Sequence, residues 1–225
     1  MSVSEDRTVQ PSPTTAAPAS GIADPAPLGL AAFALTTFLL SAKNADWMSH
    51  ATGSAWLGFA FAYGGLGQLL AGMWEFRNRN VFGATAFATY GGFWIGLGLW
   101  VQLVVNPAVA AARPATLAAT VSGLNHDLGW ILLAFAIFNT YMLIMSTQVN
   151  TAVFAVFLTL ELTEIILCIG NFNAGAALNP TTTIKIGGYV GLITALVAWY
   201  TSAAGVSNGI AAGKLRFPVG RPLLS

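Results

Sequence analysis

The sequence predicts an all-α integral membrane protein with six transmembrane helices. Of its 225 residues, 56% are hydrophobic and only 8% are charged, whereas about 25% of the residues in an ordinary soluble domain are charged. The apolar residues are gathered into six stretches, most of them long enough for the roughly 20 residues that a spanning helix needs. These runs also lack the alternating pattern of membrane β-strands, so each is predicted to be a helix.

The six spans follow a polar start. Residues 1–23 are rich in Ser, Thr, Ala and Pro and lack both the basic start and the apolar core of a secretory signal, which predicts a disordered N-terminal tail. Pro25 and Pro27 suit the start of the first helix, where a missing N–H costs little. Residues 206–225 are predicted to be a short polar tail. Between them, the transport domain covers 24–205, with spans at 27–43, 54–76, 82–105, 124–146, 149–170 and 183–205.

Six spans place both termini on the same side of the membrane, so the basic residues of the two sides can be compared. The terminal side carries six and the opposite side three: Arg7, Arg77, Arg79, Lys214, Arg216 and Arg221 against Lys43, Arg113 and Lys185. Basic residues favour the cytoplasmic side. The bias predicts a multi-pass protein of the cell (inner) membrane with cytoplasmic N- and C-termini.

Composition excludes several classes of function. The short loops leave no room for a soluble catalytic domain, and no P-loop or GxGxxG motif is present. A net charge of +1 offers no basic field for nucleic acid. With so few His, Asp and Cys residues, we expect no metal site, no cofactor and no catalytic residues. A channel, a secondary transporter, an intramembrane enzyme or a scaffold remain.

Small and polar residues inside the spans leave alternatives open. The GxxxG pairs Gly92/Gly96 and Gly187/Gly191 favour close helix packing, either within one subunit or between subunits. Gln68 lies in mid-span and needs hydrogen-bonding partners, so it either bridges helices or lines a polar path.

Ionisable residues within spans are the sharpest functional signal. Glu161 and Glu164 are three residues apart, which predicts both carboxyl groups on one helical face near mid-membrane. With no Lys or Arg in the span, at least one is expected to carry a proton at neutral pH. The pair either couples transport to proton movement or joins helices by hydrogen bonds. Glu75 lies beside Arg77 and Arg79, which predicts an interfacial ion pair.

Spaced motifs resemble one known family. The run Asp24-Pro25-Ala26-Pro27-Leu28-Gly29-Leu30 resembles the Asn-Pro-Ala-Pro-Leu-Gly-Leu signature of the acetate uptake transporter family, also called the succinate/acetate permeases. Further matches cover about residues 24–205. They include Tyr63-Gly64-Gly65, Gln68, Glu75-Phe76, Tyr90-Gly91, Phe93-Trp94 and Ile169-Gly170-Asn171.

The resemblance implies a six-helix protomer with its own conduction path, assembled in a ring, usually a hexamer, that moves acetate and related small carboxylates with protons. The family's hydrophobic constriction matches Phe33, Tyr90 and Leu160 here. Neutral donors in the spans suit a carboxylate, and apolar neighbours suit a gate. The predicted pathway residues are Asp24, Pro25, Leu28, Gly29, Thr36, Thr37, Gln68, Thr85 and Asn171.

Two departures from the family pattern affect the predicted substrate. Asp24 replaces the signature asparagine and adds a negative charge that would repel a carboxylate unless it is capped or protonated. Glu161 and Glu164 stand where the family has apolar or hydroxyl residues. We hypothesise that Glu161, next to Leu160, titrates near the gate and either couples protons to the acid or changes what passes.

Three functions remain open at this point. The motif set favours a proton-linked transporter or channel for acetate and related carboxylates. The acidic departures favour instead a ring-forming channel for a neutral or cationic solute such as urea, a short amide or ammonium. A membrane-embedded scaffold or sensor without transport is the third.

Overall fold

The computed structural model describes residues 21–49 and 54–224, and the regular structure within those ranges is entirely helical. Nearly all of the predicted tail, 1–23, lies outside the described residues. The six helical runs are α1 (Ala26–Asn44), α2 (55–77), α3 (Val81–Ala111), α4 (Pro114–Ser146), α5 (Thr151–Phe172) and α6 (Thr182–Gly209). Helices α2 and α3 each contain a π-helical turn, Ala62–Gly67 and Val101–Val105 respectively.

Five of these helices, α1 and α3 to α6, are long and apolar enough to cross a membrane. The prediction of an all-helical, multi-pass membrane protein is therefore confirmed. The π-helical turn divides α2 into two α-helical segments, Ala55–Phe61 and Gln68–Arg77, each shorter than a span. The sixth crossing accordingly stays a prediction.

Side-chain caps set where several helices begin. The Asn80, Asn150 and Thr181 side chains accept hydrogen bonds from backbone N–H groups in the first turns of α3, α5 and α6. Helix α4 begins at Pro114 rather than near 124, since the Thr116 hydroxyl accepts from the Arg113 N–H ahead of it. Helix α6 runs to Gly209, past the predicted limit of 205.

The helices close a ring in chain order. Each packs against its neighbours in sequence, and α6 returns to pack extensively against α1. The contact between α3 and α4 is the smallest in the ring. Such a ring has a centre that every helix can reach, and the cavities described below lie there.

Glycines allow α6 to approach α1 at backbone distance. A side chain at Gly188 would collide with the backbone of Ala45, and one at Gly191 with the Ser41 hydroxyl. A side chain at Gly187 would meet Leu167 of α5. The Gly187/Gly191 pair therefore serves packing within one chain.

The other GxxxG pair has a different surrounding. Apart from adjacent residues and the nearby backbone of α3 itself, no described atom lies within 4 Å of the position that a Cβ would take at Gly92 or Gly96. Both glycines are exposed on the outer side of α3. This pair leaves the subunit-interface alternative open.

The segment after α6 folds back on the helix ends. The Asn208 amide oxygen accepts from the Phe217 N–H while its nitrogen donates to the Phe217 oxygen. The Ala152 N–H donates to the Val219 oxygen at the start of α5. Residues 210–224 thus follow the protein surface next to α5 and α6.

Candidate functional site

Two cavities lie inside the ring of helices. The proximal cavity, of about 450 Å³, opens where α1 begins and α6 ends, and its walls include Asp24, Gln68 and Asn80. The distal cavity, of about 220 Å³, lies toward the other ends of these helices, and its walls include Thr37, Lys43 and Asn171. Both walls are mostly apolar with a few polar groups, as is usual for small-molecule sites.

Three residues line both cavities: Phe33, Tyr90 and Leu160. All three are buried, at 5%, 4% and 6% exposure respectively. The Phe33 and Tyr90 rings meet edge to face, with centroids 5.8 Å apart. These residues, here called the junction, lie where the walls of the two cavities meet.

Hydrogen bonds connect the Tyr90 hydroxyl to helices α4 and α5. It lies 2.9 Å from Oδ1 of Asn139 and 3.4 Å from Oε1 of Glu164. The Asn139 Nδ2 group donates to Oε2 of Glu161 at 2.7 Å, and Oε1 of Glu161 lies 2.7 Å from the Thr140 hydroxyl. A continuous polar network therefore starts at one junction residue and includes both glutamates.

The two glutamates face different surroundings. Glu164 is buried and lines the distal cavity, and within the described residues its Oε2 has no hydrogen-bond partner. Glu161 is half-buried between α4 and α5, and it lies behind Leu160 rather than on either cavity wall. Of the two, Glu164 is the one that a solute in the distal cavity would meet.

Comparison with known proteins identifies the family. The profile of the GPR1/FUN34/yaaH family matches residues 6–212. The chain belongs to this family. This result confirms the resemblance to the acetate uptake transporters, because similar proteins include an acetate permease and a succinate-acetate/proton symporter.

Several relatives are similar over most of this chain. Acetate permease A of Emericella nidulans is 40% identical over 83% of this chain, which spans 62% of that protein. Ammonia transport outward protein 2 of Saccharomyces cerevisiae is 36% identical over 85% of this chain, which spans 64% of it. The succinate-acetate/proton symporter SatP of Escherichia coli is 32% identical, with 83% of this chain and 90% of SatP covered.

A solved structure has the same fold. The bacterial acetate channel SatP superposes with a TM-score of 0.71 at 30% identity, covering 88% of this chain and 99% of that one. The fungal permease and the yeast protein are longer than this chain, which spans less than two thirds of either.

Four of the predicted pathway residues line a cavity. Asp24 and Gln68 lie on the proximal cavity and Thr37 and Asn171 on the distal cavity. The Asp24 carboxylate accepts from the Ala26 N–H at 2.9 Å, so it caps the start of α1. Gln68 donates to the Gly64 oxygen in the π-helical turn at 2.7 Å, and its position on the cavity wall favours the polar-path alternative.

Five predicted pathway residues lie on neither cavity wall. Pro25 is buried ahead of α1, and Thr85 is half-buried on α3. Leu28 is 49% exposed on the outer side of α1. Gly29 packs against the Phe87 ring, and Thr36 donates to the Ala32 oxygen and packs against Gly64. Gly29 and Thr36 of α1 thus serve the packing of α1 against neighbouring helices rather than the lining of a cavity.

Glu75 also differs from its prediction. It is fully buried, accepts from the Asn78 amide at 3.2 Å, and lies close to the position that a side chain at Gly83 would take. Helix α2 turns this side chain inward, against the start of α3, rather than toward Arg77 and Arg79. The predicted interfacial ion pair was wrong.

Several polar residues of the site were not predicted. Asn139 is fully buried in α4, and a lone amide in mid-span was the signal that could have found it. Lys43 was counted only for topology, yet it lines the distal cavity with its ammonium 5.8 Å from the Trp56 ring centroid. Asn80, Asn150 and Asn208 also line the proximal cavity.

Within residues 21–49 and 54–224, no three His, Cys, Asp or Glu residues are grouped as a metal site.

Proposed function

We propose that the protein carries acetate and related small carboxylates across the membrane, through a path inside each protomer. The observation that carries this proposal is that Phe33, Tyr90 and Leu160, and no other described residues, line both cavities. The same three positions match the constriction that the family resemblance implies. A solute crossing between the cavities must pass them.

The two vestibules suit an acid that crosses in its neutral form. An apolar constriction excludes a hydrated carboxylate but admits a small uncharged acid. On the distal side, Lys43 provides a positive charge, and the indole N–H groups of Trp56 and Trp94 have no acceptor among the described residues. On the proximal side, the cap formed with Ala26 reduces the repulsion from Asp24. The vestibules would hold the anion, and the constriction would pass the acid.

Proton linkage is the role proposed for Glu161 and Glu164. The network through Asn139 and Tyr90 joins both carboxyl groups to the constriction. The E. coli relative is named a succinate-acetate/proton symporter. We infer a division between them: Glu164, on the wall of the distal cavity, exchanges protons with it, and Glu161 influences Glu164 through the network.

The membrane arrangement is part of the same proposal. Helix α2, residues 55–77, supplies the sixth crossing, because its two segments continue through the π-helical turn without a break. Both termini lie in the cytoplasm of a cell whose inner membrane holds the protein, following the basic residues of the loops. The protomers form a homo-hexameric ring, each with a complete path, and the protein is not an enzyme.

The decisive experiment is uptake of labelled acetate into liposomes that contain the purified protein, with and without an inward proton gradient. Flux into protein-free liposomes is subtracted, because acetic acid crosses lipid by itself. We expect protein-dependent uptake that rises when the outside is acidified. Protein-dependent uptake that is absent under both conditions would contradict the proposal.

A second candidate function is conduction of ammonium or a small neutral solute. It is favoured by Asp24 and Glu164, which line the proximal and distal cavities respectively, and by the name of the yeast relative. Labelled methylammonium and urea, measured in the same liposomes, separate the two candidates. Uptake of either without acetate uptake would favour the second.

A further inference from the structure

The Asn139 side chain lies behind the junction and is held in a fixed orientation. Its Nδ2 group donates to the backbone oxygen of Phe157 at 3.0 Å and to Oε2 of Glu161 at 2.7 Å. An amide nitrogen carries two hydrogens and accepts none, so these two acceptors determine which way the amide faces. Its oxygen therefore points to α3, where it lies 2.9 Å from the Tyr90 hydroxyl.

The Tyr90 hydroxyl has one hydrogen to donate and two neighbours that can accept it. Because Oδ1 of Asn139 can only accept, Tyr90 donates to it. Oε1 of Glu164 lies 3.4 Å from the same hydroxyl oxygen. While the Tyr90 hydrogen is donated to Asn139, this second contact is a hydrogen bond only if Glu164 is the neutral acid and donates its own proton to Tyr90. The neutral acid also leaves no charge on Oε2, which has no partner among the described residues.

Ionised Glu164 would reverse this arrangement. A carboxylate is an acceptor only, and a hydrogen bond to it is roughly twice as strong as one to a neutral group. The Tyr90 hydrogen would then turn to Glu164, and the Asn139 oxygen would lose its donor. One hydrogen on the junction residue cannot serve both partners.

We propose that Asn139 is a positioning residue that holds the Tyr90 ring in the junction, and that Glu164 competes with it for the Tyr90 hydroxyl hydrogen. The inference rests on the proposed function and deepens it, because it assigns the width of the constriction to a residue that touches neither cavity. With Tyr90 bonded to Asn139 the junction is narrow. With Tyr90 turned to ionised Glu164 instead, the tip of the ring leaves Asn139 and larger carboxylates pass.

The neighbouring helices present both neutral and titratable groups to this network. Helix α6 packs against this side of α5 through the neutral hydroxyl of Thr194, which contacts Thr163. Lys43 shares the distal cavity with Glu164. Besides Lys43 on α1, the titratable groups that interact with Glu164 or Tyr90 are Tyr141 of α4 and Glu161 of α5.

The test is a double-mutant cycle in liposomes, with the ratio of butyrate to acetate uptake as its readout. Asn139→Leu removes the acceptor, and Tyr90→Phe removes the hydroxyl while keeping the ring. We expect each single substitution to raise the ratio about fivefold, the equivalent of one net hydrogen bond, and the double variant to raise it no further. Single effects that multiply in the double variant would overturn the proposal.

A control variant separates this role from general damage. Thr194→Val removes a buried hydroxyl of α6 that lines neither cavity, so it should leave the ratio unchanged. Wild-type protein that takes up neither acid would overturn the proposed function and this inference together. Normal uptake with multiplying effects would overturn the inference alone.

The pH arm keeps the proposal testable if Asn139→Leu fails to fold. Butyric and acetic acids titrate over nearly the same range, so substrate protonation cancels in their ratio. We expect the wild-type ratio to rise with pH toward that of Tyr90→Phe, because ionised Glu164 withdraws the hydrogen. Glu164→Gln, which can still donate but cannot ionise, should hold the ratio at its low-pH value. A wild-type ratio independent of pH would overturn the proposal.

Discussion

At the scale of single residues, Tyr90 is held in the junction in two ways, by ring packing and by a hydrogen bond from its hydroxyl to Asn139. The Tyr90 ring packs edge to face against Phe33 at 5.8 Å and Phe138 at 5.5 Å between centroids. Such aromatic pairs favour a few relative orientations. The ring position is thus set by packing on its faces and edges, and by hydrogen bonding at its tip.

Leu160 is the one aliphatic member of the junction, so its size should limit what passes. Replacing Leu160 with Ala removes three carbons from the barrier and should raise butyrate uptake relative to acetate. The cavity left behind should also lower the free energy of unfolding by about 2–5 kcal/mol. Substrate uptake in liposomes and thermal unfolding in detergent measure the two effects.

Leu158→Ala is the matched control, because Leu158 lies two residues away on α5 and is 39% exposed on the outer surface. Its replacement should leave the butyrate-to-acetate ratio unchanged and cost less stability. Equal changes in the two variants would show that Leu160 does not define the constriction.

Sequence analysis named the three junction residues as a predicted constriction, but it did not name the residues that hold them in place. Phe33, Tyr90 and Leu160 were predicted because the family motifs could be matched one position at a time. Leu28 and Thr85 were predicted from those motifs or from polarity, and neither reaches a cavity, since nearly every face of these helices is apolar and the sequence does not show which face turns inward. Asn139 was missed although an amide in mid-span is itself a signal, because the sequence does not show that this amide contacts Tyr90 and Glu161.

At the scale of helices, the π-helical turn of α2 is the least regular part of the fold. Its glycines let α2 approach α1 so closely that a side chain at Gly64 would collide with Thr36. Gln68, directly after the turn, donates to the Gly64 oxygen. Sequence predicted a continuous apolar span here, because hydropathy does not register a change in hydrogen-bonding pattern.

Gly64→Ala should therefore destabilise the packing of α2 on α1. Overpacking of this kind costs about 1–3 kcal/mol, which would appear as a lower melting temperature in detergent. Gly58→Ala, earlier in the same helix, places its methyl group in open space and should be neutral or slightly stabilising. A melting temperature for Gly64→Ala that equals that of Gly58→Ala would contradict the packing described.

At the scale of the whole molecule, the ring of helices leaves one glycine pair for contacts between copies. Gly187 and Gly191 are used within the chain, whereas Gly92 and Gly96 face open space. We expect the double substitution of Gly92 and Gly96 by Leu to shift the purified protein from the proposed hexamer to smaller species, because close helix approach between subunits needs small residues.

Size-exclusion chromatography with light scattering measures that shift. Gly123→Leu is the control, since Gly123 is also exposed, on α4, and a Cβ there would meet no described atom within 4 Å beyond the nearby backbone of α4 itself. It should leave the assembly intact. Unchanged assembly in the Gly92/Gly96 variant would show that another surface joins the copies.

Both cavities and the junction between them belong to a single chain. Each copy in an assembly would then work as an independent unit, without borrowing a wall from its neighbour. Mixing active chains with inactivated ones should lower total flux in simple proportion to the inactive fraction, with neither dominance nor rescue. Assembly would matter for lifetime in the membrane, and transport would scale with the number of working chains.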